Sequence, residues 1–192
     1  MEKPSDVLTK KQILVATEET LRRFGIAKTS VTDVAKVLGV SHGSIYRHFN
    51  SKAELLEGVT EKWLNEKIII PLSKVCLDSS LTGVSLLKRY IQTLVELKHD
   101  YARDDEEMFQ MYTRVTEQST DFIEQHIDHI VKQLADIITQ EGITSDQPTQ
   151  LARTLFHATA RFHHPAHAYE WKNPKVDQEF SDVWALLEHG IY

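Results

Sequence analysis

The feature that most constrains this chain is helical spacing from end to end, with few residues able to interrupt it. Its 192 residues include only 7 Gly and 5 Pro. Apolar residues recur at intervals of three and four in almost every segment. No window of four or more residues alternates apolar with polar convincingly. Such spacing lines up apolar side chains on one face of a helix, whereas a half-buried strand needs alternation. The chain is therefore predicted to be all-α, with about nine helices.

Capping chemistry marks where these helices begin. Thr9-Lys10-Lys11-Gln12 fits a capping box, and Ile13, Ala16, Thr17, Thr20, Leu21 and Phe24 follow it before Gly25. Ser30 opens a second helix carrying Val31, Val34, Ala35 and Leu38, closed by Gly39. Ser41 caps a short third helix, 42–48, with Ile45 and Tyr46 as inward candidates. Ser51-Lys52-Ala53-Glu54 is another box, opening a fourth helix that should stop at Pro71. Helical spacing returns in Leu86, Leu87, Tyr90, Leu94 and Leu97, and further helices are predicted at about 104–116, 119–140, 147–163 and 178–190. The run Asp104-Asp105-Glu106-Glu107 reads as carboxylates complementing the positive end of a helix.

Charge is uneven along the chain. The formal net of −6 argues, taken whole, against a nucleic-acid binder. Residues 1–52, however, hold 9 Lys/Arg against 5 Asp/Glu, a net of +4, and the remainder carries −10. A basic head on an acidic body suggests two jobs. No run approaches the ~20 apolar residues of a membrane span, and the N-terminus is polar. A single cysteine, Cys76, cannot form an internal disulfide and reads as a small hydrophobe rather than a redox sensor. These features point to a cytoplasmic protein with no membrane partner.

The stretch Ser30–Phe49, SVTDVAKVLGVSHGSIYRHF, carries the chemistry. Two short helices joined by a turn of about three residues form a helix-turn-helix. Ala35 is small where the helices touch, and Gly39 tolerates the turn. Val34, Leu38, Val40 and Ile45 bracket the turn, which leaves His42, Ser44, Arg47 and His48 facing outward.

Residues 9–62 resemble the N-terminal DNA-binding domain of the TetR/AcrR family of bacterial regulators. The resemblance rests on Ile13-Leu14, Ala16, Phe24-Gly25, Thr29-Ser30-Val31, Asp33-Val34-Ala35, Gly39-Val40-Ser41, Gly43-Ser44-Ile45-Tyr46, His48-Phe49 and Ser51–Leu56. It implies a DNA-binding domain at 1–50, with the helix-turn-helix at 30–49. A connecting helix at 51–70 and a ligand-binding and dimerisation bundle at 71–192 would follow. It also implies a homodimer whose third helices enter the major groove at half-sites about 34–36 Å apart. Thr29 or Ser30, Tyr46 and Lys52 would then touch phosphate. Ser41 sits at the start of the recognition helix, and His42, Gly43, Ser44 and Arg47 would read base edges. Arg47 suits a bidentate guanine contact or a phosphate, and His48 either packs, faces phosphate or reads.

The body offers less. Four histidines, His157, His163, His164 and His167, invite a metal reading. Pro165 interrupts the i, i+4 pair His163/His167, and His157 lies two turns from His164, so no metal site is predicted. Packed, interface or pocket histidines are the alternatives. Phe109, Met111, Tyr112, His157, Phe162 and Trp171 are candidates for an effector pocket. Leu151, Leu155, Ala158, Phe180, Val183, Trp184 and Leu187 are candidates for a dimer interface or for the subunit's own core. The reading is a non-enzymatic, nucleoid-associated regulator without cofactor: a homodimeric repressor released from a palindromic operator by an unidentified small molecule. The alternatives are a metal-dependent enzyme using the histidine cluster, and a DNA-binding protein with no small ligand.

Overall fold

The computed structural model describes residues 8–143 and 146–191. Among them there is no strand, as the spacing predicts. The helices are α1 (Lys10–Phe24), α2 (Val31–Leu38), α3 (His42–Tyr46), α4 (Lys52–Leu64), α5 (Ile70–Cys76), α6 (Gly83–Asp104), α7 (Glu106–Gln118), α8 (Thr120–Gln140), α9 (Pro148–Ala158), α10 (Ala160–His163) and α11 (Val176–Ile191). No helix among the described residues is long and apolar enough to cross a membrane.

Most helix starts follow the capping chemistry. Thr9 and Gln12 form the reciprocal box, as do Ser30 and Asp33. At α4 only half of the predicted box forms. The Ser51 hydroxyl accepts from the Glu54 N–H at 3.0 Å, while the Glu54 carboxylate accepts from the Asn50 N–H at 2.6 Å. Gly25 and Gly39 close α1 and α2 at φ of 74° and 66°, where a side chain would be strained.

Expected boundaries differ at Pro71 and at Thr159. Pro71 does not end the fourth helix: the helix passes through a π-helical segment, Asn65–Ile69, and continues as α5 to Cys76. Proline lacks the N–H and its ring crowds the carbonyl four residues back. The wider turn, in which the Ile70 N–H reaches the Asn65 carbonyl, rearranges that ladder just ahead of it. The helix predicted at 147–163 breaks at Thr159. The Thr159 side chain is buried and its hydroxyl donates to the Leu155 carbonyl at 2.9 Å.

The residues group into two compact units. Unit 1 is 1–63 with 106–119, and unit 2 is 64–105 with 120–192. Segment α7, which the sequence reading places in the body, thus clusters with the head. In unit 1, Ile13, Ala16, Val31, Val34, Ala35, Ile45, Phe49 and Leu55 form one apolar core, with Leu38 and Val40 packed against it. Trp63 of α4 packs on Tyr112 of α7 with ring centres 5.9 Å apart. Lys62 pairs with Glu18 at 2.7 Å. Burial raises the Glu18 carboxyl, but the hydrogen bonds from Lys62 and Arg22 outweigh it and hold the group below its ordinary value. In unit 2, the long α6 and α8 bury Tyr90, Leu94, Ile130 and Leu134. Half-buried Cys76 has its thiol pushed up by burial, which suits the hydrophobe reading better than a reactive thiolate.

Candidate nucleic-acid interface

The helix-turn-helix is held from inside unit 1. Gly39 takes the left-handed conformation, and the Val40 N–H returns to the Ala35 carbonyl at 3.0 Å. That closes α2 and sends the chain directly into α3. The Ser41 hydroxyl accepts from the Ser44 N–H, starting α3. Ile45 is 1% exposed and is the one buried residue of α3, so this single side chain plus Phe49 anchors the helix to the core.

With Ile45 inward, the remaining residues of α3 face away. His42, Gly43 and Tyr46 are exposed, and so is Arg47, while Ser44 and His48 are half-buried. Tyr46, an inward candidate by spacing, therefore lies on the outer face, its ring meeting His42 edge-on at 6.0 Å. Helix α3 is shorter than predicted: Arg47 is its C-cap, and His48 lies in the following turn. Two residues reach the face as backbone organisers. Ser41 and Ser44 share a hydrogen bond between their hydroxyls at 2.9 Å, so both are partly committed to the cap. Lys52, half-buried, begins α4.

Thr29 is a correction. Its side chain is 2% exposed and its hydroxyl donates to the Gly25 carbonyl at 2.8 Å, so it locks the α1–α2 turn rather than facing outward. Of the pair Thr29/Ser30, only half-buried Ser30 remains on the surface. The outer set is cationic and hydrogen-bonding: an arginine fork, a lysine, two imidazoles, hydroxyls and a bare glycine backbone. Those groups suit phosphate and base edges.

Gly43 allows a clean test of that face. A Cβ built there meets only the Ser41 Oγ, at 3.8 Å. Gly43→Ala should therefore leave the fold unharmed or stabilise it by about 0.5–1 kcal/mol, yet lower DNA affinity about tenfold if backbone approaches DNA there. Paired melting and fluorescence-anisotropy curves check this, and unchanged affinity removes Gly43 from the interface.

The body candidates are scattered. Phe109, Met111 and Tyr112 are buried in unit 1, whereas His157, Phe162 and Trp171 belong to unit 2. His157 is exposed, and Trp171 donates its indole N–H to the Arg161 carbonyl and stacks on His99 at 4.6 Å. Phe162 alone of the six borders a cleft of about 240 Å³, together with Val95, His99, Asp177 and Phe180. Of the dimer candidates, Leu155, Phe180 and Trp184 are buried within the subunit. Leu151, Val183 and Leu187 are half-buried and Ala158 is exposed. Leu186, missed by the spacing, is 77% exposed beside Val183 and Leu187 on α11. Among the described residues, no group of three or more His, Cys, Asp or Glu is placed to hold a metal ion.

Comparison with known proteins agrees with this geometry. Residues 13–59 match the family model for bacterial regulatory proteins of the tetR family, and residues 85–184 match that for the tetracyclin repressor-like C-terminal domain. The HTH-type transcriptional regulator TtgR of Pseudomonas putida is 42% identical over 53 residues, which cover 28% of this chain and 25% of TtgR. The chain thus spans about a quarter of the length of that relative. A TetR-family regulator structure from Mesorhizobium loti superposes with a TM-score of 0.66 at 16% identity, covering 95% of this chain and 94% of that one. The FadR repressor of Thermus thermophilus, solved with lauroyl-CoA, gives 0.66 at 18% identity, covering 96% and 95%. At such identities the two structures establish the shared fold. With both halves matched by its family models, this chain belongs to the TetR family of bacterial regulatory proteins.

Proposed function

We propose that the protein is a homodimeric repressor, acting at the nucleoid in the cytoplasm, that a small-molecule effector releases from a palindromic operator. The observation that carries this reading is the outer face of α3, with His42, Gly43, Tyr46 and Arg47 exposed on a helix pinned by Ile45. Residues 1–50 would bind DNA, 51–70 connect, and 71–192 sense and dimerise, with α7 clustering in unit 1. Exposed Leu186, flanked on α11 by half-buried Val183 and Leu187, and exposed Ala158 on α9 support a second copy as partner, since exposed apolar side chains mark interaction surfaces. Effector response is supported by fold neighbours such as Thermus FadR, solved with a bound acyl-CoA.

An effector releases DNA only by binding the DNA-incompetent arrangement better than the competent one. The coupling is reciprocal, so operator DNA must weaken effector binding by the same factor. A metabolite screen by thermal shift, followed by both affinities measured with and without the other ligand, tests this. A screen in which no metabolite alters DNA affinity favours the reading without a small ligand. Lys52→Ala isolates the phosphate contribution. It should weaken binding to all duplex sequences alike and lower the slope of log affinity against log salt by about 1. An unchanged slope takes Lys52 off the phosphates.

A further inference from the structure

Helices α6, α10 and α11 line a cleft of about 240 Å³ within unit 2. Its floor is apolar. Val95, Phe162, Val176 and Phe180 are all buried, and the two phenylalanine rings meet edge-on at 5.3 Å. Its rim is polar, and what the rim can offer follows from the bonds it already makes. His99 has Nε2 2.9 Å from the Phe162 carbonyl, and a carbonyl only accepts, so Nε2 carries the proton. Burial holds the ring below its ordinary range, which keeps it neutral at pH 7 and leaves a lone pair on Nδ1. Trp171, stacked on the ring at 4.6 Å, helps to fix its orientation. The Ser181 hydroxyl donates to the Asp177 carbonyl at 2.9 Å, so its oxygen is left as an acceptor. Asp177 and Glu96 add carboxylates, which only accept.

Among the lining side chains Gln92 alone has donors to spare, and no lysine or arginine is one of them. Glu96 pairs with Arg89 at 3.0 Å, but both are exposed and such a pair is weak. No lysine or arginine pairs with Asp177 among the described residues. Arg161 lies over the Phe162 ring but is held by Glu170 and Glu179, at 2.7 and 2.9 Å. An anion would meet carboxylates and lone pairs. A hydrocarbon would leave the rim to water. A cationic donor on an apolar body suits both the rim and the floor. The volume is the share of roughly eight molecules of liquid water, enough for one ring or a short alkyl chain. We propose that this cleft is the effector site and that the effector is a small apolar amine, bound as its ammonium with Asp177, Glu96 and His99 as acceptors. The proposal rests on the reading that the body binds an effector. A primary ammonium has three N–H donors, and its apolar body would cover Phe162 and Phe180.

The test is titration calorimetry on the full-length protein at pH 7. The probes are 2-phenylethylamine against 2-phenylethanol and hexylamine against hexanol, which separates aromatic from aliphatic bodies. At least one amine should bind about tenfold or more tightly than its alcohol, the size of one charged hydrogen bond. Asp177 is exposed, so Asp177→Asn should leave the fold intact and bring that amine to within about threefold of its alcohol. Asp182→Asn makes the same change at an exposed aspartate that does not line the cleft, and should leave amine binding as it was. Ser181→Trp, which fills the cleft from its exposed side, should abolish binding of amine and alcohol alike. Equal binding of amine and alcohol, or no binding of either amine, overturns the proposal. So does a preference that survives Asp177→Asn, an equal loss in Asp182→Asn, or binding that survives Ser181→Trp. Amine binding in the cleft without any change in DNA affinity leaves this site standing and counts against the repressor reading. Release from DNA by another ligand, with no amine bound, does the reverse.

Discussion

Lys98→Met is expected to make the protein more stable by about 2–4 kcal/mol at pH 7, seen as a higher denaturant midpoint with the slope unchanged. Lys98 lies in the interior of unit 2, and burial draws its amine from an ordinary 10.5 down to about 7. At ~1.4 kcal/mol per pK unit, that shift is a penalty of roughly 5 kcal/mol. Methionine fills much of the same volume without a charge to desolvate, but loses the polar contacts of the amine, so the expected gain is smaller than the penalty.

The pH profile separates this cause from better packing. Folded Lys98 releases its proton near pH 7 and the unfolded chain near 10.5. Between those values the unfolded chain holds more protons, so the native protein gains stability as pH rises. Lys98→Met should lack that gain, and its advantage should shrink from full size below pH 7 to little near pH 10.5. His163, held down at about 3 against an ordinary 6.5 by burial and then by Lys98, adds a rise between those two values. Lys98→Met relieves part of that. A variant less stable than the native protein, or an advantage constant from pH 7 to 10, would contradict the burial account.

Ile45→Ala should cost about 2–5 kcal/mol of stability, the usual range for truncating a fully buried aliphatic side chain. Its effect on DNA binding should be larger than that of any outward residue of α3. A five-residue helix has no stability of its own; α3 persists because Ile45 sits in the cluster of Ala16, Val34, Ala35 and Phe49. Without that anchor, the backbone that presents His42, Gly43 and Arg47 loses its fixed orientation, and affinity should fall by more than tenfold. His42→Ala, which removes an exposed ring, should leave the melting temperature unchanged. Chemical denaturation and anisotropy titration of the two variants provide the check. Equal losses of affinity without destabilisation in Ile45→Ala would mean that α3 does not depend on this anchor.

What was legible in the sequence is what local chemistry determines. Thr9, Ser30 and Ser41 cap where their hydroxyls predict, because a cap requires only neighbours within three residues. Gly39 and Ala35 mark the helix-turn-helix because the turn needs a left-handed residue and the crossing needs a small one. Features that depend on distant partners were not legible. Pro71 reads as a stop, yet the helix widens into a π turn and continues, bearing Ile68, Ile69 and Leu72 buried in unit 2. Thr29 reads as a surface residue until the Gly25 carbonyl claims its hydroxyl. Helix α7 clusters with the head because Phe109, Met111, Tyr112 and Val115 find partners such as Trp63 there. Lys98 is the plainest case. Nothing in its local sequence separates it from a solvated lysine, and only packing against the rest of unit 2 buries it.

The central claim is that α3 reads DNA as one of a symmetric pair, and selection from a pool of randomised duplexes at low salt tests it most directly. The account predicts enrichment of an inverted repeat whose half-sites are about one helical turn apart. The Arg47→Ala protein should then lose about 1–3 kcal/mol of discrimination at one base pair in each half-site. Recovery of no sequence above background, or of a single unrepeated site unaffected by Arg47→Ala, would contradict it.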